Sequence, residues 1–164
     1  LSSLIYNCAP VISPELRGKV DSSLTFQQVL QNPDMYKGKF VLWGGEIIKI
    51  LPQDGEILIE VLQMALSWRG KPERSLASQG KFLIFTKDFL DLSLFKKGKK
   101  IIVAGEIQDA IQGEKIKNLS ETAYQYPILL SKQIHLWKGL YPYSSSPPPP
   151  GPYEYNPLER QLRF

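Results

Sequence analysis

Two reactive residue types are nearly missing from this 164-residue chain, which has one cysteine, Cys8, and one histidine, His135. A single cysteine excludes an internal disulfide, and these counts exclude a zinc cluster of the Cys/His kind. Nucleophile–base pairs are short of parts too, because the two residues stand far apart in sequence. His135, inside an apolar run beside Trp137, reads as structural. No stretch approaches the roughly 18 apolar residues of a membrane-spanning helix. No glycine-rich phosphate loop is present. The 16 carboxylates are dispersed, with Glu46 and Glu106 read as solvated or hydrogen-bonded groups, and nothing selects an acid–base pair. The expectation is therefore a protein that is not an enzyme and needs no metal or cofactor.

What the chain does hold is apolar residue in strand-like runs, 43% overall, with a mildly basic net charge of +4. The stretch Lys39–Met64 organises the rest. Two β-rich runs flank Pro52-Gln-Asp-Gly55, and an Asp-Gly pair suits the positive φ of a tight hairpin. The first run is apolar on both faces: Val41, Trp43 and Ile47 alternate with Phe40, Leu42, Ile48 and Ile50. Such a strand is covered on both sides or curls into a barrel. Gly44-Gly45 in its middle marks a bulge or sharp coil, or else a place where a neighbour packs closely.

The stretch is echoed downstream. Lys37-Gly-Lys-Phe-Val-Leu-Trp-Gly-Gly-Glu-Ile47 aligns without a gap on Lys97-Gly-Lys-Lys-Ile-Ile-Val-Ala-Gly-Glu-Ile107, with six of eleven positions identical. Both enter through Lys-Gly-Lys and place a glycine, Gly45 or Gly105, before Glu-Ile. Two equivalent strands bent at glycine are what a small barrel needs.

In chain order, residues 1–8 read as the end of a secretory signal running into Cys8, with no initiating methionine at Leu1. On the residues alone Cys8 is either a lipidation site or a stray thiol. Residues 9–23, rich in proline and polar residues, read as a flexible tether. Thr25-Phe-Gln-Gln28 predicts a capping box and a short helix ended by Asn32-Pro33. Residues 67–79 read as a long polar loop, 81–86 as a strand, 87–95 as one or two helical turns, 100–108 as a strand, 114–119 as a short strand and 124–137 as the last. The fold expected over 24–138 is mainly β: an OB-like curled sheet or barrel of five to six strands, with one N-terminal helix and one small helix between strands. Residues 139–164 form a Pro/Tyr-rich tail that cannot build a core.

Single-stranded nucleic acid is a partner OB barrels take through basic grooves and exposed aromatics. Lys96, Lys97, Lys99 and Lys100, with Arg69, Lys71 and Arg74, could supply the charge, and Trp43, Phe82 and Phe85 the stacking faces. Those aromatics lie in apolar runs and read better as core, while the lysines read as a solvated turn, so nucleic acid ranks low.

Taken together, several segments resemble one family, the Slp outer-membrane lipoproteins of bacteria, named for starvation inducibility. They are Cys8 with its polar sequel, Gln31-Asn-Pro-Asp-Met-Tyr-Lys-Gly38, the Gly44-Gly45-Glu-Ile-Ile strand, Gly80-Lys-Phe, Phe89-Leu-Asp91, Gly98 through Gly105-Glu-Ile, and Tyr126 through His135-Leu-Trp137. The resemblance implies a processed lipoprotein without catalytic activity, tied to envelope or starvation stress. Its partner would be outer-membrane lipid, reached through an acylated Cys8 from the periplasmic face, with an envelope protein partner left open. Ala9 is not the aspartate that retains such proteins at the inner membrane. Trp43, Gly44, Gly45 and Gly105 are the structural positions to examine. The competing reading is a soluble OB module that binds single-stranded nucleic acid or oligosaccharide.

Overall fold

The structure, a computed structural model, describes residues 12–67, 70–73 and 78–137. Its elements in order are α1 (Pro14–Lys19), α2 (Phe26–Gln31), β1 (Phe40–Gln53), β2 (Glu56–Leu66), β3 (Pro72–Glu73), β4 (Lys81–Thr86), β5 (Lys100–Ile107), β6 (Ile111–Gln112), β7 (Gln125–Tyr126) and β8 (Ile128–Leu136), with 3-10 turns at Pro33–Tyr36 and Gly113–Lys115.

The long first strand closes the molecule on itself. Its first half pairs antiparallel with β5, from Phe40↔Glu106 to Glu46↔Lys100. Its second half pairs with β2, from Gly44↔Met64 to Gln53↔Glu56. The break at 52–55 tightens to a two-residue turn, with Asp54 at φ 40° and Gly55 at φ 83°. Both central residues at positive φ match the twist of the flanking strands. From β2 the sheet continues through β4 to β8, and β8 returns to β5. The β4–β8 contact is parallel, Leu83↔Ile128 to Phe85↔Leu130, and every other barrel contact is antiparallel. This five-stranded circuit is the OB barrel; β3 is an extra strand on the end of β2.

Strand alternation splits the apolar residues into three layers. Val41, Trp43, Ile47, Ile59, Val61, Phe82, Ile84, Ile101, Val103, Ile107 and Leu129 point into the barrel. One end is plugged by α2, whose Phe26 meets Trp43 edge-on at 4.8 Å, while Trp43 meets Phe82 at 5.1 Å. Its capping box forms: the Gln28 amide donates to Thr25 Oγ1 at 3.2 Å and the Thr25 amide to Gln28 Oε1 at 2.8 Å. Outside the barrel, Leu58, Leu83, Leu119 and Tyr126 make a second cluster beneath residues 108–127. A third gathers Ile12, Ile102 and Ala104, with Leu42, Leu66 and Trp137 against them.

The structure departs from the sequence reading in three places. Residues 12–23 are not simply a tether. Ile12 is 1% exposed, the Ser13 amide donates to Gln133 Oε1 at 3.0 Å, Ser13 caps α1, and Val20 bridges Phe40. A buried isoleucine on the outer face of β5 outweighs the loop-like composition around it. The helical turns at 87–95 condense to one turn, in which the Leu94 and Phe95 amides donate to the Asp91 carbonyl. The Ser93 amide and hydroxyl both donate to the Asp91 carboxylate, a local competitor to continued helix. Residues 114–119 are not a strand: a 3-10 turn starts at Gly113, and Asn118 takes φ 69°. The ladder there is the short β6–β7 pair instead.

Candidate functional site

Cys8 lies outside the described residues, as do Trp68, Arg69, Arg74 and the tail from 139. Of the aromatic candidates, Phe85 is half-buried on β4. Trp43 is 6% exposed, and Phe82 is fully buried, so neither offers a face to a base. A Cβ on Gly45 would run into the Leu62 carbonyl oxygen and Val61, and one on Gly44 into Leu66. On Gly105 it would sit 2.9 Å from the Leu130 carbonyl oxygen. The glycines thus mark close approach of neighbouring strands. The irregularities in pairing fall nearby, between Ile47 and Lys49 on β1 and between Ala104 and Gly105 on β5.

The echo between 37–47 and 97–107 is a real local symmetry. The two copies are neighbours, and Trp43 stands opposite Val103, its own equivalent. The hydrogen bonds repeat with them. Gly38 N donates to Ile107 O at 2.8 Å as Gly98 N does to Ile47 O at 2.9 Å. Ile107 N donates to Lys39 O and Ile47 N to Lys99 O, both at 2.9 Å. Lys96, Lys97 and Lys99 remain exposed at the second of these entries, and Lys100 is half-buried.

Sequence reasoning missed the most unusual polar group. Glu60, on the outer side of β2, is 0% exposed. The Ser120 amide donates to both its oxygens at 3.3 and 3.2 Å, Tyr126 OH donates to Oε1 at 2.8 Å, and the Ser120 hydroxyl also donates to Oε1. A buried charge is tolerated only when paired in this way. Burial, with the Glu60 charge adding, pushes the Tyr126 phenol up to about 12. Tyr124 is raised as well, chiefly by burial. Its hydroxyl accepts from Lys81 N at 2.9 Å and donates to Lys81 O at 3.1 Å. Lys81 Nζ in turn reaches Glu121 at 2.5 Å. Ser120 and Tyr126 thus fasten residues 108–127 to β2 through the carboxylate, and Tyr124 and Glu121 fasten them to β4 through Lys81. Chemically this is a clamp. The only sequence signal was a carboxylate inside the apolar run Ile57–Leu62.

The clamp covers part of the β2–β4 face, which in OB folds carries oligonucleotides and oligosaccharides. Beside it a cavity of ≈ 550 Å³ is lined by Leu58, Phe85, Ile111, Ile116, Ile128 and Leu130, with Lys87, Lys115, Gln53 and Gln108 also at its wall. Lys87 is 3.6 Å from Glu56. His135 lies on β8 opposite Ile102. Among the described residues no group of three or more His, Cys, Asp or Glu is placed to hold a metal ion. No helix of the described residues is long and apolar enough to cross a membrane.

A family model described as outer membrane lipoprotein Slp family matches residues 5–160. Over 138 residues the chain is 25% identical to the uncharacterized lipoprotein YeaY of Escherichia coli (strain K12), covering 82% of this chain and 69% of the relative. Over 139 residues it is 24% identical to the outer membrane protein Slp of the same organism, covering 84% and 71%. Among solved structures, it is similar to a small single-stranded DNA-binding protein from Streptomyces coelicolor, with TM-score 0.40, 8% identity and coverage of 62% of this chain and 94% of that one. The S. pombe Stn1-ten1 complex matches with TM-score 0.36 and 14% identity over 61% of this chain and 59% of that chain. The fold assignment rests on the strand order above.

Proposed function

Because the chain belongs to the outer membrane lipoprotein Slp family, we propose that a lipid on Cys8 holds it in the outer membrane, where it serves as a non-enzymatic domain facing the periplasm. The observation that carries this reading is the family match from residue 5 onward, which takes in Cys8. A diacylglyceryl thioether with an acylated amine buries three chains at about 0.8 kcal/mol per methylene, and two or more chains anchor stably where one does not. The domain itself supports the non-enzymatic part. Among the described residues the one fully buried carboxylate, Glu60, is held by donors from Ser120 and Tyr126, and His135 stands on a strand with no cysteine near it in sequence. The role we assign is in envelope or starvation stress.

The test is mass spectrometry of the mature N-terminus together with membrane fractionation. Triacylated Cys8 is expected in the outer-membrane fraction. Cys8→Ser should leave the melting temperature unchanged and collect as unprocessed precursor. An unmodified thiol on mature, membrane-bound protein would overturn the reading. The soluble nucleic-acid module remains the competitor, and two observations weigh against it: residues 108–127 cover part of the usual platform, and Trp43 and Phe82 are buried.

A further inference from the structure

The loop between β4 and β5 carries an exposed apolar cluster. Phe89 is 95% exposed, and Leu92 and Leu94 are each 45% exposed. The loop is nonetheless well held. Leu90 is buried in the barrel cluster, Phe95 packs against it, and the Asp91 carboxylate and carbonyl fix the turn between them. Three apolar side chains are thus presented outward on a braced turn. Lys96, Lys97 and Lys99 follow at once and are exposed. The acidic groups nearby are Asp88, Asp91, and Glu56, which faces Lys87. Asp91 is occupied by Ser93, and the balance over 87–100 is basic, with five lysines to two aspartates.

The N-terminal segment enters the fold at the same end of the barrel. Ile12 packs in the cluster that holds Ile102 and Trp137, and the Trp137 amide donates to the Lys100 carbonyl at 2.9 Å. From Ile12 the chain runs to Val20, which bridges Phe40 beside the far end of β5. The described chain thus begins at the end where β5 begins, which is the end of the 87–99 loop. Cys8 precedes Ile12 by four residues, so at full extension it lies within about 14 Å of it. The headgroup layer of a bilayer is itself roughly 5–8 Å deep on each side. A lipid on Cys8 therefore keeps Ile12, and with it this end of the barrel, within about 14 Å of the anchored residue.

We propose that the 87–99 loop is a second membrane contact. Phe89, Leu92 and Leu94 enter the headgroup region of the anchoring bilayer, and Lys96, Lys97 and Lys99 meet the phosphates of anionic lipids. An apolar cluster beside basic residues is the composition that seats on an anionic interface. The inference rests on the Cys8 anchor, and it fixes how the domain stands: the β4–β5 end against lipid, and α2 with its end of the barrel toward the periplasm.

The test uses the full chain and does not depend on cellular acylation. Cys8, the only thiol, is coupled to a maleimide lipid in phosphatidylethanolamine vesicles containing phosphatidylglycerol, or capped with a soluble maleimide. Amide hydrogen exchange is then followed over residues 88–99. On vesicles, exchange in this loop should slow by about fivefold or more relative to the capped chain, while α2 at the other end of the barrel is unchanged. The triple variant Phe89→Ser, Leu92→Ser, Leu94→Ser should keep its melting temperature and lose the protection. Lys96→Gln, Lys97→Gln, Lys99→Gln should weaken the protection as salt does. Equal exchange on vesicles and in the capped chain would overturn the proposal, as would protection that survives the apolar triple variant. Protection of the capped chain by single-stranded DNA would overturn it by assigning the lysines to another partner. Failure of the Cys8 anchor reading would show separately, in the mass of the native N-terminus.

Discussion

At the scale of single residues, the pair Glu60–Tyr126 decides most about the coat of the barrel. Its members lie 66 residues apart, and no local pattern in the sequence links them; that is why the clamp was not legible in advance. The pair makes a pH-dependent prediction. The Tyr126 phenol is raised from 10.0 to about 12, by burial first and by the Glu60 charge in addition. Its folded value exceeds its unfolded value, so the native state binds the extra proton between these limits. The associated stability is complete below pH 10 and is lost as pH rises through about 12. Tyr124, also raised, adds to the same limb. Urea titrations at pH 8, 10 and 11.5 should show unfolding free energy falling by about 1–3 kcal/mol across the series. Tyr126→Phe should be less stable at pH 8 and should lose much of that slope. A slope equal in both proteins would show that Tyr126 does not titrate as its surroundings dictate.

At the scale of elements, the repeated Lys-Gly-Lys entries and Gly-Glu-Ile strands were legible because their signals are local and chemical. So were the hairpin at Asp54-Gly55 and the capping box at Thr25. What stayed hidden was tertiary. Residues 12–20 look like a linker by composition, and only the seat of Ile12 beneath Leu42 and Trp137 turns them into part of the domain. Of the two readings of the glycines, the close-packing one describes Gly45 and Gly105 themselves: they admit the neighbouring strand. Gly45→Val would drive a side chain into the Leu62 carbonyl and should cost about 3 kcal/mol or more. Gly105→Val meets the Leu130 carbonyl and should also destabilise. Gly18 in α1 has nothing within 4 Å of a built Cβ, so Gly18→Ala should be neutral or mildly stabilising. Thermal melts of the three variants check the order, and Gly45→Val melting with the parent would contradict the close approach.

At the scale of the whole molecule, Trp43 joins the end plug to the barrel wall through its edge-on contacts with Phe26 and Phe82. Trp43→Ala should therefore cost about 3–5 kcal/mol, a large part of the roughly 5–15 kcal/mol by which a domain is stable. Loss should appear as a single cooperative transition at lower denaturant. A melting temperature unchanged in this variant would show that the plug is dispensable.

The parallel contact of β4 with β8 has a consequence in time. The last strand is an interior one, lying between β4 and β5, so both keep an open edge until Ile128–Leu136 arrives. Such non-local closure is slow, and open edges invite association with other chains. A nascent or translocating chain that has exposed only residues up to about 127 has no sealed barrel to fold into. The order of synthesis itself thus keeps the polypeptide unfolded until nearly all of the domain has emerged, and makes the final strand the step that commits it.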